Sequence, residues 1–115
     1  MAKTYCQWVG VILIVLGVIG FFTSEFITLQ FNTTHNLIHL ISGVILAYLG
    51  FTGTSVKVGA QAFGIIYTLV ALVGFLGGGS VLGLFPVNVL YNLIHLVIGL
   101  LGLWVGFGKP EAAKA

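Results

Sequence analysis

The 115-residue chain has few charged side chains, since only 5% of its residues are Asp, Glu, Lys or Arg and none is arginine. Soluble domains carry about 25% charged residues, so this shortage excludes a soluble domain. The four lysines are Lys3, Lys57, Lys109 and Lys114. They are scattered and form no basic face that could follow a phosphate backbone, which excludes nucleic-acid binding.

Cysteine and catalytic motifs are also scarce. Cys6 is the only cysteine, so no internal disulfide can form. The two acids, Glu25 and Glu111, are far apart in sequence, and no nucleophile stands beside a base. Gly77-Gly78-Gly79-Ser80 lacks the lysine of a phosphate-binding loop and indicates a flexible turn. We therefore expect no enzyme activity.

Long apolar runs are what the chain does contain. Hydrophobic residues make up 59% of it, and the mean hydropathy is +1.20. Apolar runs cover about residues 7–22, 34–51, 58–76 and 86–107, each near the 20 residues that span a bilayer, with Pro86 in the first turn of the last helix. The sequence predicts one all-α integral membrane domain, a bundle of four transmembrane helices.

An internal repeat divides these helices into two pairs. Asn36-Leu37-Ile38-His39-Leu40 reappears as Asn92-Leu93-Ile94-His95-Leu96. The repeat predicts two tandem helical hairpins, at about 5–52 and 58–107, followed by a flexible tail at 108–115. Because each unit holds two helices, we expect a pseudo-twofold axis along the membrane normal. All four lysines fall at the N-terminus, between the hairpins or in the tail, which predicts that both termini are cytoplasmic.

Small residues mark the expected contacts between helices, because close approach in lipid depends on them. One pair lies on each helix at a spacing of two turns: Gly10 and Gly17, Gly43 and Gly50, Gly64 and Ala71, and Gly99 and Gly106. Gly102 and Gly106 form a further pair, which could serve the bundle or a partner chain.

Polar side chains form one stripe on each of the second and fourth helices. The stripes consist of Asn32, Asn36 and His39, and of Asn88, Asn92 and His95. Because unpaired polar groups are costly in lipid, we expect the stripes to face each other inside the bundle. One interpretation is structural, with hydrogen bonds across helices that fix their register. The alternative is a tetrapyrrole site, with His39 and His95 as axial ligands of haem or chlorophyll and a glycine below each that makes room.

A metal site formed by His35, His39, His95 and Glu25 is disfavoured by the sequence. Tyr91 takes the place of His35 in the second copy, so such a site would be asymmetric. We expect His35 to be a polar interfacial residue at a helix start, and we expect no metal ligands.

The repeated Asn-Leu-Ile-His-Leu, with Gly43 and Gly99 four residues beyond each histidine, resembles the family of small bacterial membrane proteins filed as domain of unknown function 4383. The resemblance covers about residues 3–107. It implies a four-helix protein of the bacterial inner or thylakoid membrane, from bacteria that include cyanobacteria and actinobacteria, with no assigned activity.

These observations favour a non-enzymatic accessory or scaffold subunit that associates with other membrane proteins or with itself. Tetrapyrrole binding is the alternative, and transport of a small molecule or ion is a second alternative. No cofactor is the first expectation, with haem or chlorophyll as the other.

Overall fold

The computed structural model describes residues 1–23, 25–26, 29–30, 32–77, 80–81 and 85–108, with side chains omitted at 25–26, 29–30 and 85–86. Four helices account for most of these residues. They are α1 (Ala2–Phe22), α2 (Thr33–Thr52), α3 (Val56–Leu76) and α4 (Val89–Phe107). Each has 19 to 21 residues and is apolar enough to cross a membrane. The described chain is therefore helical with four candidate membrane spans, as its apolar runs predict.

Polar and glycine residues set the helix ends. The Asn32 side chain accepts a hydrogen bond from the His35 amide and caps α2, and Asn88 caps α4 through the Tyr91 amide. At the other end of α2, Gly53 adopts a left-handed conformation with φ of 73°, which glycine reaches without steric cost. Pro86 precedes the cap of α4, so the prediction that it opens this helix is wrong.

Each hairpin has one short antiparallel ladder between its two helices. The strands are β1 (Glu25–Phe26), β2 (Leu29–Gln30), β3 (Ser80–Val81) and β4 (Phe85–Pro86), with β1 paired to β2 and β3 to β4. Of the flexible turn expected at 77–80, Gly77 ends α3 and Ser80 pairs with Pro86. Gly78 and Gly79 lie outside the described residues. We call this side of the bundle, where α2 and α4 begin, the strand-bearing end.

Glycines bring the main chains of α1 and α2 into direct contact. A Cβ atom at Gly10 would lie 2.5 Å from the Ala47 amide nitrogen, and one at Gly50 would lie 2.6 Å from that of Gln7. Gly43 packs on the Gly10 carbonyl, and Gly17 packs on Leu40. Larger residues at these positions would push the two helices apart.

The second hairpin has the same kind of seam. A Cβ atom at Gly64 would lie 2.5 Å from the Leu103 amide nitrogen, and one at Gly106 would lie 2.7 Å from that of Gln61. Gly99 packs on Thr68, and Ala71 is fully buried. Gly102 packs on Gly64 and on the Tyr5 hydroxyl, so its small face serves the bundle itself.

The two hairpins meet through α1 and α3, which contact each other, and through contacts of α1 with α4 and of α2 with α3. Among the described residues, α2 and α4 share few close main-chain contacts and lie across the long diagonal of the bundle. The main apolar core between the hairpins contains Tyr5, Cys6, Val9, Leu13, Leu46, Ala60 and Tyr67. Large apolar side chains cover the outer faces, and Trp8, Tyr48 and Trp104 are exposed at the end opposite the strands.

Candidate metal centre

Three histidines converge on the diagonal between α2 and α4. His35 and His39 come from α2 and His95 comes from α4, and each side chain is no more than 2% exposed. One ligand atom from each residue can be chosen so that all three lie within 4.8 Å of one another. Since the main chains of α2 and α4 stay apart, these rings fill the space between them.

The helix geometry explains this convergence. His35 and His39 are four residues apart, so their side chains lie on one face of α2, and their ring centroids are 4.0 Å apart. His39 and His95 each lie about two turns, or about 10 Å, below the cap of their helix. They therefore stand at the same level, with ring centroids 6.2 Å apart, and His35 lies 5.6 Å from His95.

Two tyrosines enclose the histidines. The Tyr91 ring lies 4.8 Å from that of His35 and stacks on that of His95 at 5.7 Å, while the Tyr67 ring lies 5.6 Å from that of His95. Tyr67 and Tyr91 are both buried. The imidazoles therefore have aromatic neighbours on two sides and lie close to one another.

Two buried nitrogens in this cluster have no hydrogen-bond partner among the described residues. They are the Nδ1 atoms of His39 and His95. A buried polar atom without a partner costs about 1–3 kcal/mol, and most such atoms in folded proteins are paired. These two lone nitrogens are consistent with a site that is completed by something other than the chain.

The asparagines of the stripes point away from the histidines. Asn36 packs against Gly20 of α1 and Asn92 against Gly74 of α3, each with its Oδ1 atom where a glycine side chain would begin. No described residue donates a hydrogen bond to either oxygen. Cα–H groups of glycine are weak donors, so these contacts join the two helices within each hairpin.

The structure therefore divides each predicted stripe into parts with different surroundings. Asn32 and Asn88 cap their helices, Asn36 and Asn92 face the other helix of their own hairpin, and only His39 and His95 meet across the bundle. Gly43 and Gly99 also face the interior of their own hairpins. The expectation that they leave room for a macrocycle is wrong, because the main chains of α1 and α3 fill that space.

His35 stands in the first turn of α2, the helix start where we expect it, but it is buried in the bundle with only 1% of its surface exposed. His35 has no counterpart in the repeat, since Tyr91 stands at the corresponding position. The signal that could have found it is the spacing of His35 and His39, which places two imidazoles on one helical face. The side chain of Glu25, the fourth residue of the disfavoured site, lies outside the described part of the chain.

A cavity of about 320 Å³ opens at the strand-bearing end, between α1 and α2. The end of α1 and the start of α2 line it, including Gly20, Thr23 and Asn36. None of the three histidines lines it, so the cluster is separate from this cavity.

The comparisons with known proteins give a family but no functional precedent. The chain matches the family described as Domain of unknown function (DUF4383) over residues 1–52 and 57–115. No curated protein and no solved structure matches it. Since the match covers essentially the whole chain, as the repeated Asn-Leu-Ile-His-Leu motif predicts, this four-helix protein belongs to the DUF4383 family.

Proposed function

We propose that this chain is a non-enzymatic membrane protein that binds one transition-metal ion at His35, His39 and His95. The observation that carries the proposal is the convergence of three buried imidazoles within 4.8 Å. Imidazole is the side chain that most often binds zinc, copper, iron and nickel in proteins. Three such ligands are enough to hold an ion.

The distances fit a site that tightens when the ion enters. Metal–nitrogen bonds of 2.0–2.1 Å place ligand nitrogens about 3.4 Å from one another. The three histidines need to close by little more than 1 Å, which small side-chain rotations can supply. If the Nδ1 atoms of His39 and His95 are the ligands, the ion would also give these two buried atoms a partner.

A purely structural role explains the same residues less well. Polar groups that fix helix register do so by hydrogen bonds, and such bonds are worth about 0.6 kcal/mol on average between membrane helices. The Nδ1 atoms of His39 and His95 form none with the described residues. Hydrogen bonds between helices that the described residues do form include Gln7 to the Gly50 carbonyl and Gln61 to the Gly106 carbonyl.

The lysine distribution, with both termini in the cytoplasm, would set the centre near the outer face of a bacterial inner or thylakoid membrane. The two hairpins would be related by a pseudo-twofold axis along the membrane normal. His35 and Tyr91 occupy corresponding places on either side of this axis, which is why we propose one site rather than two.

Tetrapyrrole binding through His39 and His95 is a weaker proposal. Their rings are packed with His35 and Tyr91, so a macrocycle between them would have to separate α2 from α4. Association with other membrane subunits or with a second copy, and transport of an ion or small molecule, also stay open. The glycine faces are occupied inside the hairpins, so a docking partner would meet branched and aromatic side chains.

Metal analysis of the full chain, purified in mild detergent without chelators, tests the proposal. We expect close to one transition-metal ion per chain, and no Soret or chlorophyll absorption in the same sample. The matched variant is His35→Tyr, which gives the first hairpin the residue that the second one has. It should keep the fold and bind less metal.

Two results would count against the metal proposal. One is a chain that stays metal-free after incubation with zinc, cobalt, nickel and copper ions. The other is a metal content that is the same in the wild type and in His35→Tyr, His39→Gln and His95→Gln. A Soret or chlorophyll band that disappears in His39→Gln would favour the tetrapyrrole instead, and subunits that co-purify would support the accessory role.

A further inference from the structure

We infer that the ion at His35, His39 and His95 is monovalent copper. The inference rests on the proposed metal-binding function and names the ion that this site would select. It follows from the charge of the ligands, from their number and from what surrounds them.

The ligands bring no negative charge. All three are imidazoles, which bind metals as neutral groups. Among the described helical residues the charged side chains are Lys3 and Lys57, which lie at the end opposite the strands. Neither the three ligands nor the charged side chains of the described helices would therefore offset the positive charge of a metal ion here.

Burial of an uncompensated charge favours the lower of two oxidation states. The cost of removing an ion from water rises with the square of its charge, so a divalent ion costs about four times as much as a monovalent ion of equal radius. Zinc, nickel and iron are divalent or higher in proteins. Copper also suits imidazole ligands and has a stable monovalent state.

The number of ligands that each ion requires also favours monovalent copper. A divalent zinc ion on three histidines takes water or hydroxide as a fourth ligand. Here the rings of Tyr67 and Tyr91 pack against the imidazoles on two sides. A closed-shell monovalent copper ion is satisfied by three nitrogens and needs no further ligand. The aromatic faces also stabilise positive charge that spreads onto the imidazoles.

Sulfur is the main competitor for monovalent copper in this chain. Cys6 is fully buried in the core between the hairpins, and its thiol donates to the Val56 carbonyl at 3.5 Å. It lies in the first turns of α1 and therefore at the end opposite the three histidines. A nitrogen-only copper site is thus separable by experiment from binding at the thiol.

The test compares ions on the same detergent-purified full chain after chelator treatment. Monovalent copper is titrated without oxygen against a chromogenic copper(I) chelator, and zinc and cobalt are titrated in parallel against a zinc-binding dye. We expect one copper(I) per chain, bound at least about 100-fold more tightly than zinc or cobalt. X-ray absorption should show only nitrogen neighbours, at about 2.0 Å.

Variants identify the site. His35→Gln, His39→Gln and His95→Gln should each weaken copper(I) binding at least about tenfold. Cys6→Ser and Glu25→Gln should leave copper(I) binding unchanged, which would exclude the Cys6 thiol and the Glu25 carboxylate as ligands. Circular dichroism and gel filtration of each variant show whether it is folded, and His35→Tyr is the second choice if a glutamine variant is not.

Each outcome decides between the two proposals. Zinc or cobalt bound as tightly as copper(I), with loss in the histidine variants, overturns the choice of copper and leaves metal binding intact. Sulfur in the copper shell, or loss of copper in Cys6→Ser, also overturns the inference. If no ion binds at a ratio of one per chain, both proposals fail.

Discussion

The hydroxyl group of Tyr5 donates a hydrogen bond to the main-chain carbonyl of Ile98 over 2.8 Å, and so joins the first helix to the last. The two residues belong to different hairpins. The hydroxyl also fills the space above Gly102, where any side chain would displace it. This contact is a specific polar link between the two halves of the bundle.

Tyr5→Phe should therefore weaken the association of the hairpins. The variant removes one hydrogen bond and keeps the ring, so we expect a loss of about 0.5–1.5 kcal/mol in the free energy of unfolding. Unfolding in mixed detergent, followed by circular dichroism, measures it. Tyr48→Phe is the matched control, because Tyr48 is 64% exposed. Equal effects of the two substitutions would show that the link to Ile98 carries no stability.

Gly10→Ala should open the seam between α1 and α2. The new methyl group would lie 2.5 Å from the Ala47 amide nitrogen, and main chain cannot move aside as a flexible side chain can. We expect a loss of about 1–3 kcal/mol. Val11→Leu, which adds volume on the exposed face of the same helix, should change the unfolding free energy little. A neutral Gly10→Ala would contradict the close approach of the two main chains.

Removal of the helix cap of α2 or of α4 should lower the free energy of unfolding. Asn32→Ala leaves the His35 amide without the acceptor that it has at 2.8 Å, and we expect a loss of about 0.5–2 kcal/mol. Asn32→Ser restores a hydrogen-bond acceptor for the His35 amide and should recover most of the lost unfolding free energy. Amide hydrogen exchange over the first turn of α2 should rise in the alanine variant and return in the serine variant. Unchanged exchange in both would show that the cap is dispensable.

His39→Leu should separate metal binding from a structural role. In the presence of chelator we expect a thermal midpoint equal to or above that of the wild type, because the substitution removes a buried nitrogen that has no hydrogen bond to the described residues. Added metal should then raise the midpoint of the wild type alone. At 100 times the dissociation constant this stabilisation amounts to about 2.7 kcal/mol. A metal-free variant much less stable than the metal-free wild type would favour the register-fixing interpretation.

Hydropathy and the repeat predict most of the fold. Each predicted apolar run coincides with a helix, and the two differ by at most about three residues where the run extends beyond the helix. A membrane span must pair its own backbone groups, so a long apolar segment has few alternatives to a helix. Pro86 misled the prediction because proline suits both a first helical turn and an extended segment, and the cap at Asn88 decides the helix start. The two-residue strands leave no periodic pattern for sequence reasoning to detect.

The sequence predicts only two of the three histidines of the candidate site. His39 and His95 stand out because they repeat, and the expectation of an inward-facing position follows from the cost of a polar group in lipid. His35 does not repeat, and the argument from symmetry therefore disfavoured a metal site that includes it. Whether Asn36 faces histidine or glycine depends on the rotation of α2 about its axis, which the glycines at 10, 17 and 20 of a different helix determine.

The diagonal arrangement of α2 and α4 has a mechanical consequence. Each hairpin is closed by its own glycine contacts, while the histidine rings lie where main chains approach least. A small rotation of one hairpin against the other would change the separation of His39 and His95 without disturbing either glycine seam. The glycine contacts thus hold each hairpin together, whereas the three histidines, the main apolar core and the Tyr5–Ile98 hydrogen bond lie between the hairpins.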